Sequence, residues 1–457
     1  MKITKNDYKK SILLSSDSND EIIDRLIDEI FELREKIEKL EKEKKPAKVL
    51  RYPLKKKRKR WKKLGRPVGH PGTTRKKPDE IDNIEHQTLK ICPDCGCKGL
   101  TELPSEAREH IQEDLIPAKV EVTKYIRHGY WCPHCKEKKE APYAAEEIPY
   151  GYLGPNILIQ AVLMKYHYGL PYDKMVGMFG TFSSLKVTAS ALAQALQRIS
   201  RWLNVEQEVI LEAIRKSPYL HIDETGWKIA GTNHWLWCFV NERLALYRIR
   251  RSRGRNIPEE ILTDDYGGIV ISDFLSAYDK SGKRRQRCLT HLARDMEKYR
   301  QVNNTEESLK AYKKLRRIIK DAYRLDMRRK ELEGWVFYRR AERIKERLWN
   351  FACRSFRDNN WNRISKRLLK YYDEILTFLE VPGLAKDNNH AERMIKPNVI
   401  FRKISFQNMS KKGAEAHEVL MTLLQTLRLQ NEDVKTFFTK AYLKHRKGND
   451  TPILTTK

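Results

Sequence analysis

The stretch from Tyr219 to Asp273 constrains the fold most, because it consists of short apolar runs separated by turn residues. The runs Y-L-H-I-D, W-K-I-A-G, W-L-W-C-F-V, L-A-L-Y-R-I and I-V-I-S-D have the length and composition of β-strands. Two of them end on an acid, Asp223 and Asp273. Helical patterns precede and follow the stretch, so the sequence predicts a multidomain α+β protein with a sheet among helices.

A third acid stands in a basic, amide-rich segment, K-D-N-N-H-A-E-R-M-I-K-P, where Glu392 lies near the start of a predicted helix. Carboxylates are the hard oxygen ligands that hold Mg²⁺ or Mn²⁺, and two such ions serve both oxygens of a phosphodiester displacement. We therefore predict that Asp223, Asp273 and Glu392 are catalytic metal ligands. Any one of them alone is more commonly a turn or cap residue.

Composition points to a polyanionic partner. The chain has 457 residues, a net charge of +30 and a pI near 9.7, which favours nucleic acid over a plainly solvated basic surface. No apolar run reaches the ~18 residues of a membrane span, and the N-terminus has no signal-peptide core. The eight cysteines, four of them in two C-P-x-C motifs, indicate metal binding in a reducing compartment.

The N-terminal region combines a heptad pattern with a basic arm. Between Asp20 and Lys45, Ile and Leu alternate at the a and d positions, which favours a parallel two-stranded coiled coil over a helix packed inside a domain. From Lys44 to Lys77 there are sixteen Lys or Arg and no acid, so this arm is predicted to be disordered until it meets phosphate. Its candidate DNA-binding residues are Lys55, Lys56, Lys57, Arg58, Lys59, Arg60 and Arg66.

Two cysteine knuckles predict a zinc module. C-P-D-C-G-C begins at Cys92 and C-P-H-C at Cys132, with strand-like sequence between them. Four thiolates can hold one tetrahedral Zn²⁺ and leave no open position, so a structural zinc is expected. The predicted ligands are Cys92, Cys95, Cys132 and Cys135, with Cys97 as an alternative to Cys95.

The segment from Tyr150 to Tyr219 has helical periodicity. The pieces Y-D-K-M-V-G-M-F-G and S-A-L-A-Q-A-L-Q-R-I are compatible with a helix-turn-helix that binds DNA, and equally with a linking bundle. The sequence leaves both interpretations open.

The motifs H-I-D-E-T, I-S-D-F-L-S-A-Y-D, C-L-T-H-L-A-R-D-M and D-N-N-H-A-E-R-M-I-K-P, with F-R-K and K-K-G, resemble the DDE transposases of the insertion-sequence 66 family. The resemblance implies a ribonuclease-H-like catalytic domain with a helical insertion and the triad Asp223, Asp273 and Glu392. It also implies Mg²⁺-dependent cleavage and transfer of double-stranded DNA at terminal inverted repeats. A homodimer or higher oligomer, with accessory transposition proteins as further candidates, would act in the bacterial cytoplasm at the nucleoid.

The expected division of the chain follows from these patterns. Its parts are an N-terminal tail (1–18), a coiled-coil helix (19–45), a basic arm (46–80), a zinc-binding domain (81–148), a helical segment (149–217), the first part of the catalytic core (218–304), a helical insertion (305–380), the second part of the core (381–445) and a C-terminal tail (446–457).

Several neighbours of the acids receive supporting roles. Glu224 competes with Asp223 as first ligand, but strand alternation favours Asp223 at the strand's end with Glu224 in the turn. Cys288 and His291 are expected to brace the site rather than bind zinc. Asn388 and Asn389 are expected to cap the Glu392 helix. The candidate phosphate contacts are Arg393, Lys396, Arg402, Lys403, Lys411 and Lys412.

Two other classes of function remain as alternatives. One is a ribonuclease-H-like nuclease or resolvase that acts on structured DNA. The other is a catalytically silent, transposase-derived DNA-binding regulator, in which one of the acids would be lost; here all three are present.

Trp227, beside the acidic turn, is a candidate for stacking on a DNA base.

Overall fold

The computed structural model describes residues 32, 80–82, 84, 90, 93–98, 101, 119–144, 147–148, 151–445 and 451–454. The chain divides into two compact units, Met1–Glu113 and Asp114–Lys457. The predicted coiled coil, apart from Glu32, and the basic arm, apart from Glu80, lie outside the described residues. Among the helices of these ranges, none combines the length and apolar character that a membrane span requires.

The second unit begins with a small antiparallel hairpin. Strand β1 (Gly129–Cys132) pairs with β2 (Glu137–Glu140), and nearly every residue of both strands is exposed. The turn between them contains Lys136 in the left-handed region, with a φ of 53°. A two-stranded hairpin without a buried face is marginal by itself, so this element needs another source of stability.

Within residues 151–217, four α-helices precede the central sheet. Helix α3 shows why they form: Thr188 accepts a hydrogen bond from the Ala191 N–H at 3.2 Å, and Leu192, Leu196 and Ile199 line one buried face. The two pieces considered for a helix-turn-helix are α2 and α3, joined by residues 184–188. The bounds are α1 (Pro155–Val162, continued by a π-helical turn, Leu163–His167), α2 (Tyr172–Ser183), α3 (Ala189–Trp202) and α4 (Asn204–Arg215).

The central sheet has five strands in the order β5-β4-β3-β6-β7. Strand β4 is antiparallel to both of its neighbours, β3 and β5, whereas β6 and β7 extend the sheet in parallel with β3. The run L-W-C-F-V of β4 is fully buried, so both faces of this part of the strand are covered. The bounds are β3 (Tyr219–Ile229), β4 (Thr232–Val240), β5 (Ala245–Arg250), β6 (Ile269–Ser272) and β7 (Arg284–Arg287).

Helix α12 (Lys411–Leu429) covers the edge strand β5 and satisfies its free N–H groups. Side chains four residues apart on the helix do this in place of a further strand. The acceptors Glu418 Oε1, Thr422 Oγ1 and Thr426 Oγ1 lie 2.8, 3.0 and 3.1 Å from the backbone nitrogens of Ile249, Tyr247 and Ala245. Most residues of α12 from Ala414 to Leu427 are buried, although the helix starts on the charged sequence K-K-G.

The helices between Leu289 and Leu384 build a second hydrophobic core, which meets the sheet at Ile271 of β6. Two short 3₁₀ turns, Arg329–Glu331 and Thr377–Leu379, connect them. The bounds of the helices not yet given are α5 (Asn256–Leu262), α6 (Leu289–Val302), α7 (Glu306–Met327), α8 (Gly334–Ala352), α9 (Asn359–Lys370), α10 (Tyr372–Ile375), α11 (Asn389–Ser405) and α13 (Val434–His445).

Trp227 belongs to the core, so the prediction that it is available for base stacking is wrong. The side chain is 1% exposed, and its Nε1–H donates to Asn408 Oδ1 at 2.8 Å. Its ring lies against Phe401 and His417. Strand β3 continues past the acids, so Trp227 is carried under α11 and α12 rather than into a solvent-exposed turn.

Candidate active site and metal centres

Asp223 lies in the middle of β3, not at its end as predicted. The parallel pairing with β6 stops at His221, but β3 continues to Ile229 because β4 stays paired with it up to a tight turn at Ala230 and Gly231. Asp223 is therefore placed just beyond the last parallel pair. This is the position at which the neighbouring strand β6 also ends.

Glu224 is part of the same strand rather than of a turn, and its carboxylate is occupied. Its side chain is 2% exposed and accepts from Arg253 Nε and Nη2 at 2.9 and 2.7 Å. The phenol of Tyr278 donates to its other oxygen. Both oxygens of Glu224 therefore have protein partners, whereas Asp223 accepts only from the Glu224 N–H, at 3.0 Å, among the described contacts.

Asp273 directly follows β6, where its Oδ1 accepts from the Leu275 N–H at 2.8 Å. Arg287, which ends β7 and is fully buried, fixes this loop from behind. Its Nη1 donates to the Asp273 carbonyl at 2.9 Å, and its other nitrogens bind Glu374 and Asp279, each at 2.6 Å. A planar fork with several fixed acceptors gives the backbone of Asp273 little freedom.

Glu392 stands in the first turn of α11 and is half-buried. Its two oxygens accept from Nη2 of Arg294 at 3.3 and 3.2 Å. His291, one turn before Arg294 on α6, places its Nδ1 at 3.7 Å from Glu392 Oε1. This buried Nδ1 has no hydrogen-bond partner among the described residues.

Asn388 and Asn389 do not cap α11 through their side chains, so that prediction is wrong. Asn388 occupies the N-cap position, but its Nδ2 donates instead to the Ile222 carbonyl at 2.7 Å and its Oδ1 lies 3.2 Å from His221 Nδ1. Asp387 supplies the local acceptor, for the Asn389 N–H at 3.0 Å. Asn388 is 1% exposed and ties the start of the Glu392 helix to the strand that bears Asp223.

Cys288 is buried at the start of α6 and braces the same junction. Its Sγ accepts from the Asn388 N–H at 3.2 Å, and its own N–H donates to the Ser272 carbonyl at 2.8 Å. Burial raises the pKa of the thiol above its usual value. Cys288 therefore links β6 to the helix of Glu392 as a neutral thiol, while His291 points to Glu392.

The three predicted acids share one electrostatic field. Burial first, and then the negative charges of Glu224, Asp273 and Glu392, raise the pKa of Asp223 to about 8. Burial also lowers the pKa of His221 to about 4, so its ring is neutral and Nδ1 can donate to Asn388. The carboxylates of Asp223 and Asp273, which form no ion pair among the described residues, favour a nearby cation.

The fit of a divalent metal is partial. In the described part of the chain, no three His, Cys, Asp or Glu side chains are grouped closely enough to hold a metal ion. Asp223 and Asp273 fit such an ion, because hard oxygen ligands are present and a cation would offset the repulsion that raises the Asp223 pKa. The charge of Glu392 also raises the Asp223 pKa, but the Glu392 carboxylate is already paired with the guanidinium of Arg294.

Most of the predicted phosphate contacts on α11 and at the start of α12 are exposed, but Arg402 is not free for that role. Its Nη1 donates to Thr225 Oγ1 at 3.1 Å and to the Gly226 carbonyl, so it braces β3. Lys411 is 3.9 Å from Glu415. The remaining residues form no ion pair within the described ranges: Arg393, Lys396, Lys403 and Lys412.

The two cysteine knuckles belong to different units. Cys92 lies outside the described residues, and Cys95 and Cys97 of the first unit are exposed. In the second unit Cys132 ends β1, and its Sγ accepts from the Cys135 N–H at 3.4 Å. This bond is the main cause that lowers the pKa of Cys132, and the thiolate is the form that binds zinc.

Several residues of the site were missed by sequence reasoning. Arg294 follows His291 by three residues, a spacing that puts both on one face of α6, and this could have been noticed. Arg287 and Arg253 carry no local signal, because their partners are distant in sequence.

The fold is a mixed α/β sheet with helices. Asp223 and Asp273 come from its neighbouring strands β3 and β6, and Glu392 comes from a later helix, α11. The family described as "Transposase IS66 family" matches residues 150–416, more than half of the chain. The zinc-finger binding domain of transposase IS66 matches residues 90–136. The chain belongs to the IS66 family of transposases.

Similar proteins occur in Sinorhizobium fredii (strain NBRC 101917 / NGR234). Uncharacterized protein y4hP is 23% identical over 416 residues, which cover 81% of this chain and 73% of that protein. Uncharacterized protein y4qI is 23% identical over 390 residues, or 77% and 70%. Uncharacterized protein y4jD is 22% identical over 358 residues, or 70% and 68%.

Proposed function

We propose that this transposase binds the terminal inverted repeats of its element and catalyses metal-dependent strand cleavage and strand transfer through Asp223, Asp273 and Glu392. The observation that carries the proposal is the buried position of Asp223 near Glu224, Asp273 and Glu392: burial first, and then these negative charges, raise the pKa of Asp223 to about 8. Groups with strongly shifted pKa values and specific charged neighbours are typical of functional sites.

The sheet supports a ribonuclease-H-like core for this site. Its first strand, β3, lies at the centre between an antiparallel pair and a parallel pair. Asp223 and Asp273 come from the two neighbouring strands β3 and β6, and α11 brings Glu392 from a segment more than a hundred residues later. The helices between them extend a separate core, as an insertion would.

Asp223 is favoured over Glu224 as the first ligand. Arg253 and Tyr278 already engage both oxygens of the buried Glu224 carboxylate, so metal binding there would have to displace these hydrogen bonds. Asp223 carries the electrostatic penalty that a cation would remove. The two residues point to opposite faces of β3, so they are not interchangeable.

The residues around the acids position them for chemistry. Asp223 and Asp273, joined by Glu392, would hold Mg²⁺ or Mn²⁺, which when bound supplies positive charge to the attacking and leaving oxygens. Asn388 sets the distance between α11 and β3, and Arg287 holds the Asp273 loop.

Arg294 is placed to exchange partners when DNA binds. Its side chain is 54% exposed and its bonds to Glu392 are 3.2 Å or longer. An exposed pair of this kind contributes only ~0–1 kcal/mol. A DNA phosphate can therefore take over Arg294 and release the Glu392 oxygens for the cation.

DNA is the proposed partner of several exposed basic surfaces. A cleft of about 840 Å³ beside α3, the second helix of the possible helix-turn-helix, includes Arg198 and Arg201 with Lys412 of α12. Its amide side chains, Gln194 and Gln197, could also reach base edges. The basic arm, the predicted coiled coil and the zinc-binding domain complete the proposed assembly, a dimer or higher oligomer.

A cleavage assay tests the proposed function. Linear duplexes carrying candidate terminal repeats are expected to be nicked in Mg²⁺ or Mn²⁺, and Glu392→Gln is expected to lose about 10²-fold or more of that rate because one charged ligand is neutralised. Glu212→Gln, an exposed glutamate on α4, serves as the matched control.

The outcomes separate the alternatives. Full cleavage by Glu392→Gln would remove this glutamate from the catalytic set. Preference for a four-way junction over the linear ends would indicate a resolvase. Repeat-specific binding by the wild type with no cleavage in either metal would indicate a regulator.

Zinc binding can be tested independently of cleavage. Cys132→Ala is expected to lose one bound zinc per chain and the order of the β1–β2 hairpin, because structural zinc supplies folding free energy. Cys353→Ala, which removes an exposed cysteine on a different element, is the control and is expected to keep its zinc. Zinc is measured by elemental analysis; an unchanged content in Cys132→Ala would contradict the assignment.

A further inference from the structure

Helices α7 and α8 border a groove whose lining is mainly arginine. The groove has a volume of about 280 Å³ and lies in the helical region that follows β7. Its lining comprises Arg324, Arg328, Arg340, Arg343 and Arg347, with Asp321, Leu325 and Ile344.

Helical register produces the convergence. On α8, Arg340, Arg343 and Arg347 are spaced by three and four residues, so they lie on one face. On α7, Arg324 and Arg328 are one turn apart, with Arg328 at the helix end. The apolar residues of both helices face the core beneath, which leaves the guanidinium groups at the mouth of the groove.

The groove has more positive charge than its acid can balance. Asp321 accepts from Arg347 at 2.8 Å and lies 4.0 Å from Arg324. Arg328 pairs outside the groove with Glu331. Arg340 and Arg343 form no ion pair within the described residues. Like charges one turn apart destabilise a helix, so this arrangement favours a bound anion.

The geometry fits a row of phosphates. From Arg340 to Arg347 the axis of α8 rises by roughly 10 Å, at ~1.5 Å per residue. Phosphates along one strand of duplex DNA succeed one another at about 3.4 Å of axial rise. Arginine also presents a planar fork that matches the phosphate group, and duplex DNA supplies such groups at a regular spacing.

We propose that the arginine groove between α7 and α8 binds the phosphate backbone of duplex DNA. The identity of the ligand rests on the proposed function, whereas the site consists of residues outside the acid cluster. The helical region would then contact DNA in addition to its packing role. This contact would depend on charge and spacing and not on base sequence.

The test measures metal-free binding of the full-length protein to a duplex over a range of salt concentrations. Arg340→Gln/Arg343→Gln is expected to bind about tenfold more weakly and to reduce the slope of log affinity against log salt by roughly 1.8, for two lost phosphate contacts. The control Arg339→Gln/Arg363→Gln removes the same charge from exposed helix positions that do not line the groove. It is expected to change affinity by less than about twofold.

Two further arms make the result decisive. Arg340→Lys/Arg343→Lys is expected to restore most of the slope, because the charge returns without the fork. An unchanged slope in the Gln variant, or equal effects in variant and control, would overturn the proposal. So would loss of polyglutamate binding with intact duplex binding, which would identify an acidic protein surface. Because binding is measured without metal, a failure of the separate Mg²⁺ or Mn²⁺ cleavage assay would count against the proposed function and not against the groove.

Discussion

Asp223→Asn is expected to reduce metal-dependent strand cleavage by about 10³-fold or more, since metal-assisted stabilisation of transition-state charge is worth several kcal/mol. The substitution preserves size and hydrogen-bonding shape but removes the negative charge that a cation would bind. Rates are measured on duplexes with candidate terminal repeats. Asp173→Asn, an exposed aspartate on α2, is the matched control and should leave the rate unchanged.

The same variant is expected to be more stable than the wild type in metal-free buffer. The folded pKa of Asp223 is raised to about 8 from an unfolded value of 3.8, mainly by burial and then by Glu224. The destabilising cost is therefore absent below the unfolded value, grows as pH rises and is complete above about 8. At pH 8 we expect Asp223→Asn to gain about 2–4 kcal/mol in the free energy of unfolding.

Glu224→Gln is expected to change the free energy of unfolding in the opposite direction. Its carboxylate accepts from Arg253 and Tyr278, so the variant should lose stability, by about 1–3 kcal/mol. Higher activity loss in Glu224→Gln than in Asp223→Asn, together with no stability gain in the latter, would reverse the assignment of the first ligand.

Arg287→Lys is expected to destabilise the protein by about 3–5 kcal/mol, the cost of breaking a buried charge network. The fully buried guanidinium holds Glu374, Asp279 and the Asp273 carbonyl at once, and its plane lies 4.3 Å from the centre of the Tyr371 ring. An ammonium group cannot reach these acceptors in the same plane. Because the Asp273 loop loses its anchor, cleavage should fall as well.

The control for this prediction is on the same strand. Arg284 pairs with Glu380, and both side chains are over 40% exposed, so Arg284→Lys should change stability by less than about 0.5 kcal/mol. Urea denaturation measures both variants. A shift below about 1 kcal/mol for Arg287→Lys would show that its contacts contribute little to the fold.

Local sequence patterns predicted where strands and helices occur but not the residues at which they end. The apolar runs indicated strands between Tyr219 and Ser272, but Y-L-H-I-D and the W-K-I of W-K-I-A-G belong to one continuous strand, β3. The helical pieces considered for a helix-turn-helix are helices α2 and α3. Asp223 was placed at the end of a strand because alternation alone cannot report that β4 stays paired up to Ile229. The N-cap preference of Asn suggested capping, yet burial against β3 redirects the Asn388 side chain to Ile222.

The same limit applies to charged and aromatic residues. Arg402 and Lys403 are adjacent in sequence, but helical rotation turns Arg402 towards Thr225 and leaves Lys403 exposed. Trp227 follows an acidic pair and nevertheless becomes core, because β3 carries it under the last helices. Whether a polar side chain serves solvent or a buried partner depends on its long-range neighbours.

The sequence by itself determined the family motifs, the strand-forming runs and the excess of basic residues, since composition and periodicity are local properties of the chain. Only the tertiary structure decided which carboxylates lie in one field, that Glu224 is bound by Arg253 and Tyr278, and that arginines of α7 and α8 share a groove. Electrostatic coupling depends on distance and burial, and both are set by contacts between residues far apart in the chain.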